Sequence, residues 1–150
     1  METTLKHKLA IYALLLSLAS CGGDGNRNTL SAPVPLANLR ISDSPLYDYG
    51  NLLLDSEGNH EFTVTNLGSV SATQITGTFY FSIAFFYVGG TFPGTGGTCR
   101  SELSGHSSCT VRVAFNPKAM GHSETTLQLS YYNGLSEIVT SFPILSGTGI

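Results

Sequence analysis

Three groups of residues in this 150-residue chain have side chains that could do chemistry. They are three cysteines (Cys21, Cys99, Cys109), four histidines (His7, His60, His106, His122) and the acid-rich run Asp55-Ser56-Glu57-Gly58-Asn59-His60-Glu61. A calcium loop needs the order D-x-[DN]-x-[DN]-G and a closing Glu at position 12, and the 55–61 run has neither. It reads as a hairpin turn. The histidines show no H-x-x-x-H or H-E-x-x-H spacing, so none is expected to hold a metal. Serine is abundant, but no G-x-S-x-G elbow sets one up as a nucleophile. Gly89 to Gly97 holds five of the seventeen glycines yet lacks the G-K-[ST] ending of a phosphate cradle. It reads as a flexible loop. The expectation is a protein without enzymatic activity, cofactor or metal.

The elements that position these residues are clearest between Cys99 and Gly121. There Cys109, Val111, Val113 and Phe115 alternate with Thr110, Arg112, Ala114 and Asn116. A period of two marks a strand with one buried and one solvated face. Charged residues make up only 11% of the chain, and 7 basic residues face 10 acidic ones. Without a cluster of Lys and Arg to neutralise phosphates, nucleic acid is not an expected partner.

The N-terminus reads as an address. Lys6 and Lys8 precede the apolar stretch Leu9 to Leu18, which has the length of a signal-peptide core and falls short of the roughly 20 residues that span a bilayer. The following Leu18-Ala19-Ser20-Cys21 resembles the bacterial lipobox. That resemblance implies cleavage before Cys21 and acylation of its sulfur, which several acyl chains would make a durable membrane anchor. The remaining chain would carry 5 basic and 9 acidic side chains, a net charge of −4. Gly22 rather than Asp after the lipidated Cys implies the outer membrane, with its periplasmic or outward face left open. The expected organisation is a signal peptide over 1–20, Cys21 and a flexible tether over 21–37, and a folded domain over 38–150. Glycines, Asn, Ser and prolines give the tether nothing to bury.

With Cys21 assigned to lipid, Cys99 and Cys109 are an even pair in an exported chain. His106 alone does not complete a zinc site with them, and no C-x-x-C spacing suggests redox chemistry. A structural disulfide closing about ten residues is expected to contribute roughly 2.5–3 kcal/mol.

From Asn38 on, short strands recur between turn residues every 8–12 positions, as in a β-sandwich. They are Leu39–Ile41, Tyr47–Leu54 with a bend at Gly50, His60–Asn66 with Phe62 and Val64 inward, Ser108–Asn116, Glu124–Tyr132 and Ile138–Leu145. Ala72 to Phe86 is either two strands kinked at Gly77 or one strand and an apolar crossing loop. Asn133-Gly134 predicts a type I′ hairpin turn. Pro143 must sit at a sheet edge or a bulge. The buried face of the last strand is undecided between Phe142/Ile144 and Val139/Leu145.

Several ordered motifs then carry a family resemblance: Y-G at 49–50, F-T-V-T-N-L-G-S at 62–69, C…L-S-G-H-S-S-C-T-V-R-V-A-F-N-P at 99–117, G-H-S-E-T-T-L-Q-L at 121–129 and L-S-G-T-G at 145–149. Together they resemble the abnormal-spindle/hydin-like immunoglobulin-type domain, whose bacterial versions are the choice-of-anchor D domains. The resemblance implies an all-β, immunoglobulin-like sandwich of about seven strands with a disulfide before the V-x-V-x-F strand. It implies a scaffolding or interaction role without shared catalytic residues.

The aromatic residues between Phe79 and Tyr87 read first as sandwich core and an inter-sheet crossing; the alternative is a binding patch at Phe86, Tyr87, Phe92 and Tyr132, beside the glycine loop. Recognition would use that 86–98 loop or an exposed sheet edge. The function expected is an envelope lipoprotein that binds or scaffolds a protein partner. The alternative is a surface adhesin-like module for host or polysaccharide ligands.

Overall fold

The computed structural model describes residues 32–150, apart from the side chains of Ser141 and Phe142. The signal peptide, Cys21 and most of the tether lie outside the described residues. Nine strands follow in order: β1 Leu39–Ile41, β2 Leu46–Leu52, β3 Gly58–Asn66, β4 Ala72–Phe79, β5 Phe85–Tyr87, β6 Glu102–Leu103, β7 Ser108–Phe115, β8 Gly121–Tyr132 and β9 Glu137–Gly149. They form two sheets, β1-β3-β7-β5 and β2-β9-β8-β4-β6. Every pairing is antiparallel except β2 with β9. The fold is an all-β, immunoglobulin-like sandwich, and the two strands beyond the expected seven are the short β5 and β6.

The alternation read from β3 and β7 determines the core. Phe62 and Val64 of β3, with Cys109, Val111, Val113 and Phe115 of β7, all point inward and are buried. Leu127, Leu129 and Tyr131 of β8 and Leu145 of β9 meet them from the other sheet. Each large side chain so covered contributes about 1.5–3 kcal/mol relative to exposure. Gly50 lies at the irregularity in β2 between Asp48 and Asn51, where the chain was expected to bend.

Three local expectations are corrected or decided by the structure. The irregularity in β4 lies between Thr73 and Thr76, where Gln74 has φ +56°, and not at Gly77. Gly77 serves a different end, because a Cβ there would collide with the Tyr87 hydroxyl and the Phe92 ring. The 72–86 run is one strand, an apolar crossing over residues 80–84, and the short β5.

The β8–β9 connection is a hairpin, but it uses four residues and not a two-residue type I′ turn. Only Gly134 has positive φ (102°), while Asn133 Oδ1 accepts the N–H groups of Leu135 (2.9 Å) and Ser136 (2.8 Å). The side chain of Asn133 organises the loop, where a type I′ turn would have required its backbone to adopt positive φ.

In β9, the three-residue step from Ser141 to Ile144 faces the two-residue step from Thr126 to Gln128. This bulge contains Pro143, which has no N–H to give to the ladder. The extra residue flips the alternation. Ile138 therefore packs inward and Val139 outward, while Leu145 packs inward and Ile144 outward. Neither pair of candidate inward residues runs the length of the strand.

Asn66, at the end of β3, is fully buried. Its Oδ1 accepts from the N–H groups of Asn38 and Gly68, both at 3.0 Å. Its Nδ2 donates to the carbonyls of Val70 (2.8 Å) and Leu103 (3.1 Å), with that of Ser104 at 3.3 Å. One side chain thus joins the approach to β1, the β3–β4 turn and the β6–β7 turn. Replacing it leaves several buried or partly buried backbone groups without their partner at once, which costs more than one hydrogen bond contributes. Asn66→Ala is expected to destabilise the fold by about 3–5 kcal/mol, read as a lowered urea midpoint with unchanged slope.

Candidate functional site

Cys99 and Cys109 form a disulfide, with Cα atoms 4.8 Å apart. It closes the base of the loop that follows β5, and that loop is laid along β7. Val88 N–H donates to the Arg112 carbonyl (3.1 Å), Arg112 N–H to that of Pro93 (2.8 Å), and Thr98 N–H to that of Thr110 (2.9 Å). The glycines permit this close approach, so the loop is better described as seated than as flexible. At Gly94, with φ +91°, a Cβ would run into the Arg112 carbonyl.

The four expected patch residues are not brought together. Tyr87 is 6% exposed, because β5 turns Phe85 and Tyr87 to the core and leaves Phe86 half-buried between them. Phe92 packs on the Tyr87 ring with centroids 5.5 Å apart and abuts the core. Tyr132 is exposed, but on β8, where it pairs with Glu137 next to the 133–136 loop. Its neighbour Tyr131 is buried, and the Tyr131 hydroxyl accepts the Leu39 N–H at 3.2 Å.

The exposed aromatic and aliphatic side chains lie a few residues earlier, on the crossing from β4 to β5. Phe81 is 86% exposed and Ile83 is 93% exposed, with the Tyr80 ring edge-on to Phe81 at 4.5 Å. Phe81 has φ +48°, a conformation that costs a bulky residue about 1–3 kcal/mol. The crossing is pinned from both sides. Tyr80 N–H donates to Thr126 O and Thr125 Oγ1 to Tyr80 O, while Phe85 N–H donates to Ser82 Oγ (2.8 Å) and Asn116 N–H to Ala84 O (2.8 Å). Beside it lies a half-open pocket of about 130 Å³, lined by residues 81–85 and by Ser123 and Glu124 of β8.

This crossing occupies one end of the sandwich, together with the β2–β3 turn, the β7–β8 turn and Ile150. Hydrogen bonds from Leu54 to Ile150 and from Asp55 to Pro117 tie the turns together. Leu53, Met120 and Ile150 are exposed there. The chain enters the sandwich at the other end, where Ala37 N–H donates to Asn133 O (2.9 Å).

Of the histidines, His60 is on β3, His106 in the β6–β7 turn and His122 on β8. His60 Nε2 meets Asp43 Oδ2 at 3.1 Å, and Ser42 Oγ donates to the same oxygen at 2.7 Å. These hydrogen bonds hold the Asp43 carboxyl below its ordinary range. The order is wrong for nucleophilic catalysis, since Asp43 lies between Ser42 and His60 and the imidazole does not receive the serine proton. The trio braces the β1–β2 turn, with the His60 ring stacked on Tyr47 at 3.7 Å.

No family model and no curated protein matches the sequence. Among solved structures, the chain is similar to the Vibrio cholerae VesB protease with TM-score 0.58 and 18% identity, over 73% of this chain and 31% of that one. It therefore spans about a third of that protease. It is similar to the ASH / PapD-like domain of human CEP192, with TM-score 0.54 and 13% identity, over 100% of this chain and 98% of that one. A Porphyromonas gingivalis protein of unknown function gives TM-score 0.55 and 13% identity, over 81% of this chain and 51% of that one.

Two measurements check the chemistry of this region. Replacing both Cys99 and Cys109 with Ser, or reducing the native protein, is expected to lower stability by about 2.5–3 kcal/mol. Burial raises the phenols of Tyr49 and Tyr87 far above the usual tyrosine range. The folded state keeps these protons while the unfolded chain releases them near pH 10, so stability should fall as pH rises past about 10. Thermal melts from pH 8 to 11 should show that fall, and the double variant Tyr49→Phe/Tyr87→Phe should flatten it. The likenesses to solved structures show an immunoglobulin-like β-sandwich fold.

Proposed function

We propose that this chain is a non-catalytic binding module of the choice-of-anchor D kind, held in a bacterial envelope by lipid on Cys21. Its sandwich engages a protein partner through the end that carries the β4–β5 crossing. The observation that supports this reading is the exposure of Phe81 and Ile83 on a pinned segment. Clustered apolar side chains left in water mark interaction sites, because covering them releases the free energy that their exposure costs.

A second contact is available on β9. Strand β2 accompanies β9 only from Ile144 onward, so among the described residues Glu137–Thr140 pairs with β8 on one side and with no strand on the other. Such an edge accepts an added strand.

Intact mass of the protein extracted from its native membrane tests the anchor. The expected mass begins at Cys21 with acyl chains added, and an unmodified mass would remove the lipid from the proposal. For binding, benzoylphenylalanine is placed at Ile83 in one variant and at Val139 in another, then irradiated in living cells. A protein adduct from the Ile83 position is expected. Adducts from Val139 alone would move the contact to the β9 edge, and none from either would overturn the binding role.

A further inference from the structure

The Asn133–Gly134 pair in the β8–β9 hairpin brings together the groups of an intramolecular acyl transfer. In that reaction the backbone nitrogen after an asparagine attacks the side-chain carbonyl carbon, Cγ. It needs an unhindered nitrogen, a carbonyl oxygen held by donors, and an amide group free to leave. Gly134 has no side chain to shield its nitrogen, and among the described residues its N–H donates to nothing. Asn133 Oδ1 accepts from the N–H groups of Leu135 (2.9 Å) and Ser136 (2.8 Å). Two such donors draw charge from Cγ and hold the oxyanion that attack creates. Leu135 is exposed, so water reaches the tip of the loop. Asn66 is the contrast within the same fold. Its Nδ2 donates to the carbonyls of Val70 and Leu103, and the next nitrogen, that of Leu67, donates to Asn38 O at 2.8 Å.

We propose that Asn133 is a site of spontaneous covalent modification in the folded protein. The Gly134 nitrogen bonds to Cγ, the Cγ–Nδ2 bond breaks, and the proton from Gly134 leaves with Nδ2 as ammonia. Water then opens the resulting succinimide. Cleavage at Cγ leaves an ordinary aspartyl linkage, and cleavage at the backbone carbonyl carbon leaves an isoaspartyl one. The isoaspartyl product routes the main chain through the side chain and lengthens it by one methylene. It displaces the carbonyl that accepts the Ala37 N–H (2.9 Å) and the N–H that donates to Ser136 O (3.0 Å). The tie between the hairpin and the entering chain is thereby lost. The aspartyl product keeps an acceptor for Leu135 and Ser136 and adds one negative charge. This inference is independent of the binding role.

The test holds the folded full chain in detergent and mildly alkaline buffer, and maps its peptides by mass over time. Isoaspartate is counted by enzymatic transfer of a methyl group from S-adenosylmethionine. A gain of one dalton is expected on the peptide that contains Asn133, at least about tenfold faster than on that containing Asn66. If Asn133 stays unchanged while the urea-unfolded chain converts, the site is overturned. If Asn66 converts alongside it, the reaction has run through the unfolded chain and the structural assignment falls. The isoaspartyl fraction, separated from the rest, should melt about 3 °C or more below Asn133→Asp, which keeps the native linkage. Equal melting of the two would overturn the loss of the Ala37 contact.

Discussion

Asn66 is the point at which the two sheets are kept in register with their connecting turns. An amide has two donors and an acceptor with two lone pairs, and here each is used on backbone groups from three separate segments. No apolar side chain could replace it, because the turns it joins bury N–H and C=O groups that have no strand to pair with. The inward face of β3 therefore ends in a polar residue after Phe62 and Val64. The hydrophobic core supplies most of the driving force, but the Asn66 network decides how the chain turns between sheets at that end of the sandwich.

The opposite side of the molecule is organised by close backbone approach. The segment after β5 lies along β7 through alternating hydrogen bonds, with Gly94 against the Arg112 carbonyl and the disulfide at its end. This arrangement covers an edge that three-residue β5 would leave largely open. Exposed edges invite pairing with other chains, and a seated loop is one way of blunting them. Among the described residues, the first half of β9 pairs with β8 alone and has no such cover.

The β4–β5 crossing carries the chain from one sheet to the other and leaves Phe81 and Ile83 in water. Its backbone is held at both ends by hydrogen bonds to β8 and to the residue after β7. A rigid apolar surface loses less conformational entropy when it is covered than a mobile one does. An unbroken run of uncharged residues conceals this surface in the sequence, because F-Y-F-S-I-A-F-F shows no period that separates inward from outward positions. Ser82, whose Oγ accepts the Phe85 N–H, is the one local sign that the chain turns before re-entering a strand.

Period and residue type carry everything the sequence determined by itself. The alternation in β3 and β7 specified which side chains face the core, since neighbouring strand residues must point to opposite faces. The even pair Cys99 and Cys109 and the punctuation by turn residues specified the staple and the sandwich class. Tertiary structure decided everything that depends on one extra residue or on a partner far along the chain. The β9 bulge reversed the buried face, so no single alternation could describe that strand. Tyr87 was drawn into the core and away from Tyr132 by the pairing of β5 with β7. Asn66 reads locally as a turn former, and its role exists only where Asn38, Val70 and Leu103 converge around it. Short-range pattern carries no information about such convergence, because the groups it joins are brought together only when the sheets pack.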